Sequence, residues 1–212
     1  MSSSNLSLQR PPDSERQQIH HALVEVCRED GLPRATIERV IERASVDRPA
    51  FDRYFSDLDD CFAQYVDEAQ ASFSERARAA MASTEDWRSR LRVVIYELAR
   101  FCRDDEARAH MLLVETLAAG PLGCLIRDQA LETMVDLIDY GRLLMDDPSG
   151  LTRVTAEAMA GALFNQMHLA LEQERLDATD ELVPQLMYCM VLPYCGTEAA
   201  VDELSRLPLP EA

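Results

Sequence analysis

The sequence predicts an all-α protein in two parts, a three-helix head near the N-terminus and a larger helical body. Three observations carry this expectation. Ala, Leu, Glu and Arg dominate the 212 residues and glycine occurs only seven times, a balance that favours helix. Apolar residues make up 47%, enough for a sizeable core, and they recur at the helical period with no convincing β alternation. Pro, Gly and Asp clusters interrupt that period at intervals of a helix length.

Taken in order, residues 1–12 are rich in Ser and Asn, end in Pro11-Pro12, and read as a disordered arm. Asp13 or Ser14 caps a first helix in which Ile19, Ala22, Leu23, Val26 and Cys27 share one apolar face, and Gly31 ends it. Thr36 opens a short second helix with Ile37, Val40, Ile41 and Ala44 inward. After Ser45-Val46, Asp47 caps a third helix. Pro49 sits in its first turn, where a missing N–H costs little, and Phe51 and Phe55 face the core. Ser56-Asp57 starts a fourth helix running to about Met81. Longer helices follow at about 85–103, 105–119, 123–145, 151–174 and 179–193, separated at Gly120-Pro121, at 147–150 and at 177–180.

Composition excludes several classes. No apolar run approaches the roughly 18 residues of a membrane span, and the N-terminus lacks a signal-peptide pattern, so a cytoplasmic protein is expected. The six cysteines include no C-x-x-C pair and are read as small packed hydrophobes. There is no nucleophile elbow, phosphate loop or H-E-x-x-H, so neither an enzyme nor a cofactor is expected. His168 and Glu172 share a helix face but lack a third partner, so no metal site is expected. Net charge is −17, and all 21 basic residues are arginine, each able to form a bidentate contact. Such acidity argues against nonspecific nucleic-acid binding.

A helix, a short Thr-led helix, a tight turn, another short helix and a long exit helix form the pattern of a helix-turn-helix. Residues 16–62 resemble the N-terminal domain of TetR-family regulators through Ile19, Ala22, Leu23, Gly31, Thr36, Val40, Ala44, Val46, Arg48, Pro49, Phe51, Arg53, Tyr54 and Phe55. VETLAAGP, AEAMAGALF and VLPYCGTEAA resemble a subgroup common in actinobacteria. The resemblance implies a DNA-binding domain at 13–56, a regulatory and dimerisation domain at 57–206 and a loose tail at 207–212. It implies DNA contacts by Thr36, Asp47, Arg48, Pro49, Ala50, Asp52, Arg53 and Tyr54. Thr36 and Tyr54 would donate to phosphate, and Arg48 or Arg53 would pair with guanine. Ser45 stands where the family usually has Gly, Asp47 where Ser is common, Asp52 where Tyr is nearly constant and Leu58 where Lys is common. These changes remove phosphate partners and add repulsion.

The resemblance further implies a repressor that binds operator DNA as a homodimer through residues 151–193 and is released by a small effector. Phe101, Met111, Met134, Tyr140, Phe164 and Met167 are the candidate lining of its pocket. An apolar or amphipathic effector is expected, because this lining holds no cluster of cations; Arg92, Arg100 and Arg103 are read as solvated. The rival expectation is a TetR-like dimer whose acidic head has lost DNA binding and meets a protein partner.

Overall fold

A computed structural model describes residues 12–176 and 179–207. The expected arm at 1–12 and tail at 207–212 fall almost entirely outside these residues. The described elements are helical, and the chain divides into two compact units, one ending at Tyr65 and the other beginning at Val66.

The first unit contains α1 (Pro12–Asp30), α2 (Ile37–Ala44), α3 (Arg48–Asp52) and the start of α4 (Leu58–Met81). Ile19, Leu23, Val26 and Cys27 of α1 are buried against Val40, Phe51, Phe55 and Phe62, as the apolar periodicity requires. Ile37 and Ile41 remain half-buried. Gly31 ends α1 at φ 78°, ψ 151°, a backbone region open to glycine alone in practice. Asp57 caps α4 by accepting from the Asp60 N–H at 2.8 Å, and Asp60 accepts in return from the Ser56 N–H at 2.9 Å. His20 is buried between the rings of Phe55 and Tyr65, at 5.1 and 5.3 Å, and desolvation lowers its pKa to about 4.

The second unit holds the rest of α4, then α5 (Trp87–Asp104), α6 (Glu106–His110), α7 (Thr116–Ala118), α8 (Gly120–Asp139), α9 (Arg153–Glu172) and α10 (Thr179–Ser205). A π-helical turn at Met111–Glu115 joins α6 to α7. The expected single helix at 105–119 is thus locally rewound, and Thr116 Oγ1 donates to the Met111 carbonyl at 3.0 Å across the wide turn. Trp87 fixes α5. Its indole N–H donates to the Leu137 carbonyl at 2.8 Å, and a Cβ at Gly141 would lie 2.5 Å from its ring. Only glycine allows so close an approach.

Two expectations need correction here. The last helix does not stop at 193. It continues to Ser205 beyond a break at Gly196, φ 78°. The extension docks because Arg92 is buried, not solvated: its guanidinium donates to Glu203 Oε2 at 2.8 Å and to the carbonyls of Arg206 and Leu207 at 3.2 Å. Arg88 joins through Glu203 and Asp202. A buried carboxylate 111 residues away gives Arg92 its reason to leave solvent. Arg100 is also largely covered and pairs with Glu97 at 2.7 Å, whereas Arg103 is exposed as expected. The cysteines divide evenly, with Cys27, Cys61 and Cys102 buried and Cys124, Cys189 and Cys195 exposed. Among the described residues no helix is long and apolar enough to cross a membrane.

Candidate nucleic-acid interface and effector cavity

The α2–turn–α3 segment is organised by its own backbone. Thr36 Oγ1 accepts from the Arg39 N–H at 3.3 Å and starts α2. Ser45 lies in the left-handed region at φ 54°, ψ 44°. Its N–H donates to the Glu42 carbonyl at 3.1 Å, and the Val46 N–H donates to the Ile41 carbonyl at 3.0 Å. These two bonds form a Schellman turn with serine in the glycine position. Asp47 then caps α3 through the Ala50 N–H at 2.9 Å, with Pro49 in the first turn.

This arrangement exposes Thr36, Asp47, Arg48, Pro49, Asp52 and Arg53 and leaves Tyr54 half-buried. Ala50 differs from its expected place. It is 3% exposed and turns inward beside Phe51, so it offers DNA no surface in this conformation. The α3 helix is short enough that one turn must supply both its packing face and its outer face, and position 50 falls on the packing side.

Every arginine of α2 and α3 faces a carboxylate of the same chain. Arg48 Nε donates to Asp52 Oδ1 at 2.7 Å, and its NH1 lies 3.8 Å from Glu38. Arg53 pairs with Glu15 of α1, and Tyr54 Oη donates to the same carboxylate oxygen at 3.2 Å. Arg43 bridges Glu25 at 3.2 Å and Glu29 at 2.6 Å, and Arg39 pairs with Asp30. The hydrogen bond from Arg43 holds the Glu29 carboxyl below its usual pKa. Arg48–Asp52 has i, i+4 spacing and was legible in the sequence. Glu15 was not, since it lies 38 residues from Arg53 and only the packing of α1 brings it there.

The second unit encloses a cavity of about 440 Å³ between α4, α5, the π-turn, α8 and α9. Its wall is mostly apolar, including Phe73, Leu98, Leu113, Met134, Leu163 and Phe164. Met134 and Phe164 therefore reach the cavity as expected. Phe101 does not line it but backs Phe73, ring to ring at 5.8 Å. Met111 and Met167 are fully buried elsewhere in the core, and Tyr140 is 48% exposed on a 3₁₀ turn beyond α8. The wall also contains Gln70, Arg78 and Arg127, so it does carry cations. The sequence hid them because Arg78 and Arg127 belong to helices whose cavity-facing edge borders solvent. His168 is occupied otherwise, its Nδ1 lying 3.2 Å from the Leu113 carbonyl oxygen.

No family model matches the chain, and no curated protein matches it. Solved structures do. The chain is similar to a TetR-family transcriptional regulator from Syntrophomonas wolfei, at TM-score 0.69 and 15% identity, covering 88% of this chain and 97% of that one. It is similar to the fatty acid degradation regulator FadR of Bacillus halodurans, at 0.67 and 17%, over 89% and 97%. It is also similar to FadR of Bacillus subtilis, solved with stearoyl-CoA, at 0.66 and 20%, over 85% and 98%. The protein has the all-α fold of TetR-family transcriptional regulators.

Proposed function

We propose that the protein is a ligand-responsive transcriptional regulator, a repressor that binds operator DNA as a homodimer and leaves it when a small effector fills the body cavity. One observation carries the DNA reading. The Schellman turn at Ser45 and the cap at Asp47 hold α3 as a short, separately braced helix whose outer face presents Arg48, Asp52, Arg53 and Tyr54. The DNA-binding function is assigned to residues 13–56 and the regulatory function to 57–206. The cavity and the fold shared with a regulator solved with stearoyl-CoA support the effector reading. The effector acts as a population shift, favouring one of two head separations by its differential affinity. The α4 helix belongs to both units, since its first turns pair with the head through Gln64 and Tyr54 and its later turns line the cavity at Gln70 and Phe73.

For the dimer, α9 and the first part of α10, residues 151–193, supply the interface. The exposed Val154, Ala158 and Ala162 on α9 let a second helix approach closely. A twofold dimer places two heads on successive major-groove faces, about 34–36 Å apart.

The paired carboxylates shape the DNA reading. DNA must displace Glu15 from Arg53 and Tyr54, so affinity is modest and depends strongly on sequence. Asp52 either accepts from cytosine N4 or keeps Arg48 aimed at guanine, so the half-site contains G·C pairs. The same carboxylates favour the second reading, a head that meets a protein partner instead. Selection of bound duplexes from a random library at low salt decides between them. Enrichment of a G·C-containing palindrome is expected. Absence of any retained duplex overturns DNA binding and favours the protein partner.

A further inference from the structure

The lining of the body cavity is at odds with the rest of the chain. The protein has 38 acidic residues against 21 arginines, yet the described wall holds two arginines, Arg78 and Arg127, and no Asp or Glu. Arg78 is exposed and Arg127 is about one-third exposed, so both guanidinium groups reach the solvent side of the wall. The Nε2 of Gln70, a residue of the same wall, is buried and has no hydrogen-bond partner among the described residues. An unmet buried polar atom costs free energy unless something bonds to it.

We propose that this cavity binds a small amphipathic organic anion, its apolar body against α5, α8 and α9, a hydrogen-bonding group at Gln70, and its charge held at Arg127 with Arg78 beside it. The inference rests on the effector reading and specifies its chemistry. A purely apolar ligand would gain nothing from either arginine. A cation would meet two guanidinium groups and no carboxylate in the described wall. The volume of about 440 Å³ suits a molecule of modest size. Arg127 already donates to Asp128 at 2.7 Å, an adjacent exposed pair of little strength, so an incoming carboxylate can share or take the guanidinium.

The test is calorimetric titration of the full chain with dodecanoate and dodecanol, each below its micellar concentration. These probes share one apolar body and differ in charge. Dodecanoate is expected to bind about tenfold tighter, as a charge-assisted contact requires. Arg127→Gln should erase that preference and leave dodecanol unchanged, whereas Asp128→Asn should tighten dodecanoate several-fold. Ala130→Trp, which fills the cavity from a half-exposed position, should abolish both. Equal binding of the two probes, or a preference that survives Arg127→Gln, overturns the anion assignment while leaving the effector reading intact. Binding that survives Ala130→Trp places the ligand elsewhere and overturns both. No binding of either probe also overturns the anion assignment, and release of the selected DNA by a neutral compound would then keep the effector reading alone.

Discussion

Glu15 governs the outer face of α3 although nothing local in the sequence marks it. Its carboxylate holds the Arg53 guanidinium and accepts from Tyr54, two of the side chains proposed to contact DNA. Exposed pairs of this kind contribute about 1 kcal/mol or less. Glu15→Gln is therefore expected to tighten binding to duplex of any sequence by up to about fivefold, read by fluorescence anisotropy at low salt. A gain confined to one base pair would show instead that Glu15 orients a reading residue. His20 sets a different sensitivity. Its folded pKa of about 4 lies below the ordinary 6.5, so it is neutral in the native head. Between those values the unfolded chain takes up a proton that the folded chain refuses. Stability is thus full above pH 6.5, falls as pH drops toward 4, and loses up to about 3 kcal/mol from this group. Chemical denaturation at pH 7 and pH 4.5 should show that loss, and His20→Phe should reduce it.

The turn between α2 and α3 is the element that most rewards a conservative change. Ser45 sits at φ 54° and ψ 44° with both Schellman hydrogen bonds made. A side chain in the left-handed region costs roughly 1–2 kcal/mol, partly offset by the extra freedom glycine brings to the unfolded chain. Ser45→Gly should raise stability by about 0.5–1 kcal/mol and leave DNA preference unchanged, measured by urea unfolding and anisotropy together. Destabilisation would mean that the serine hydroxyl contributes to the turn more than its backbone strain costs. At the far end of the chain the element boundary is set differently. Pro193 and Gly196 both argue for a stop near 193, and the break does occur at Gly196. The helix resumes because Glu203 is fully buried against Arg92 and Arg88. Composition marks the break, and a distant ion pair supplies the reason to continue.

For the whole molecule, the assembly prediction follows from what α9 and α10 leave uncovered. Val154 is 65% exposed and Ala158, Ala162 and Cys189 are exposed, small or apolar positions alongside the exposed Glu157 and Asn165. Two such helix pairs meeting across a twofold axis would bury these small and apolar positions. Multi-angle light scattering at micromolar concentration should give twice the chain mass of 23.9 kDa. Ala162→Arg, which adds charge at the close approach, should shift the protein to monomer and weaken DNA binding, since each head would then bind its half-site alone. A monomer in the unmodified protein would sink the dimer reading.

The sequence by itself determined the helical class, the apolar face of α1, the inward Phe51 and Phe55, the caps at Thr36 and Asp47, and the exposed set Arg48, Asp52 and Arg53. All of these depend on spacings of one to four residues, and the helical period converts such spacings directly into faces. Tertiary structure alone decided the rest. It turned Ala50 inward, buried Arg92 against Glu203, put Glu15 beside Arg53, and separated Met134 and Phe164, which line the cavity, from Met111, Met167 and Tyr140, which do not. Each of those outcomes depends on which face of one helix meets which face of another across tens of residues. Apolar side chains look alike to a periodicity, whether they fill a core or line a space. An arginine reads as solvated until a carboxylate far along the chain is folded against it.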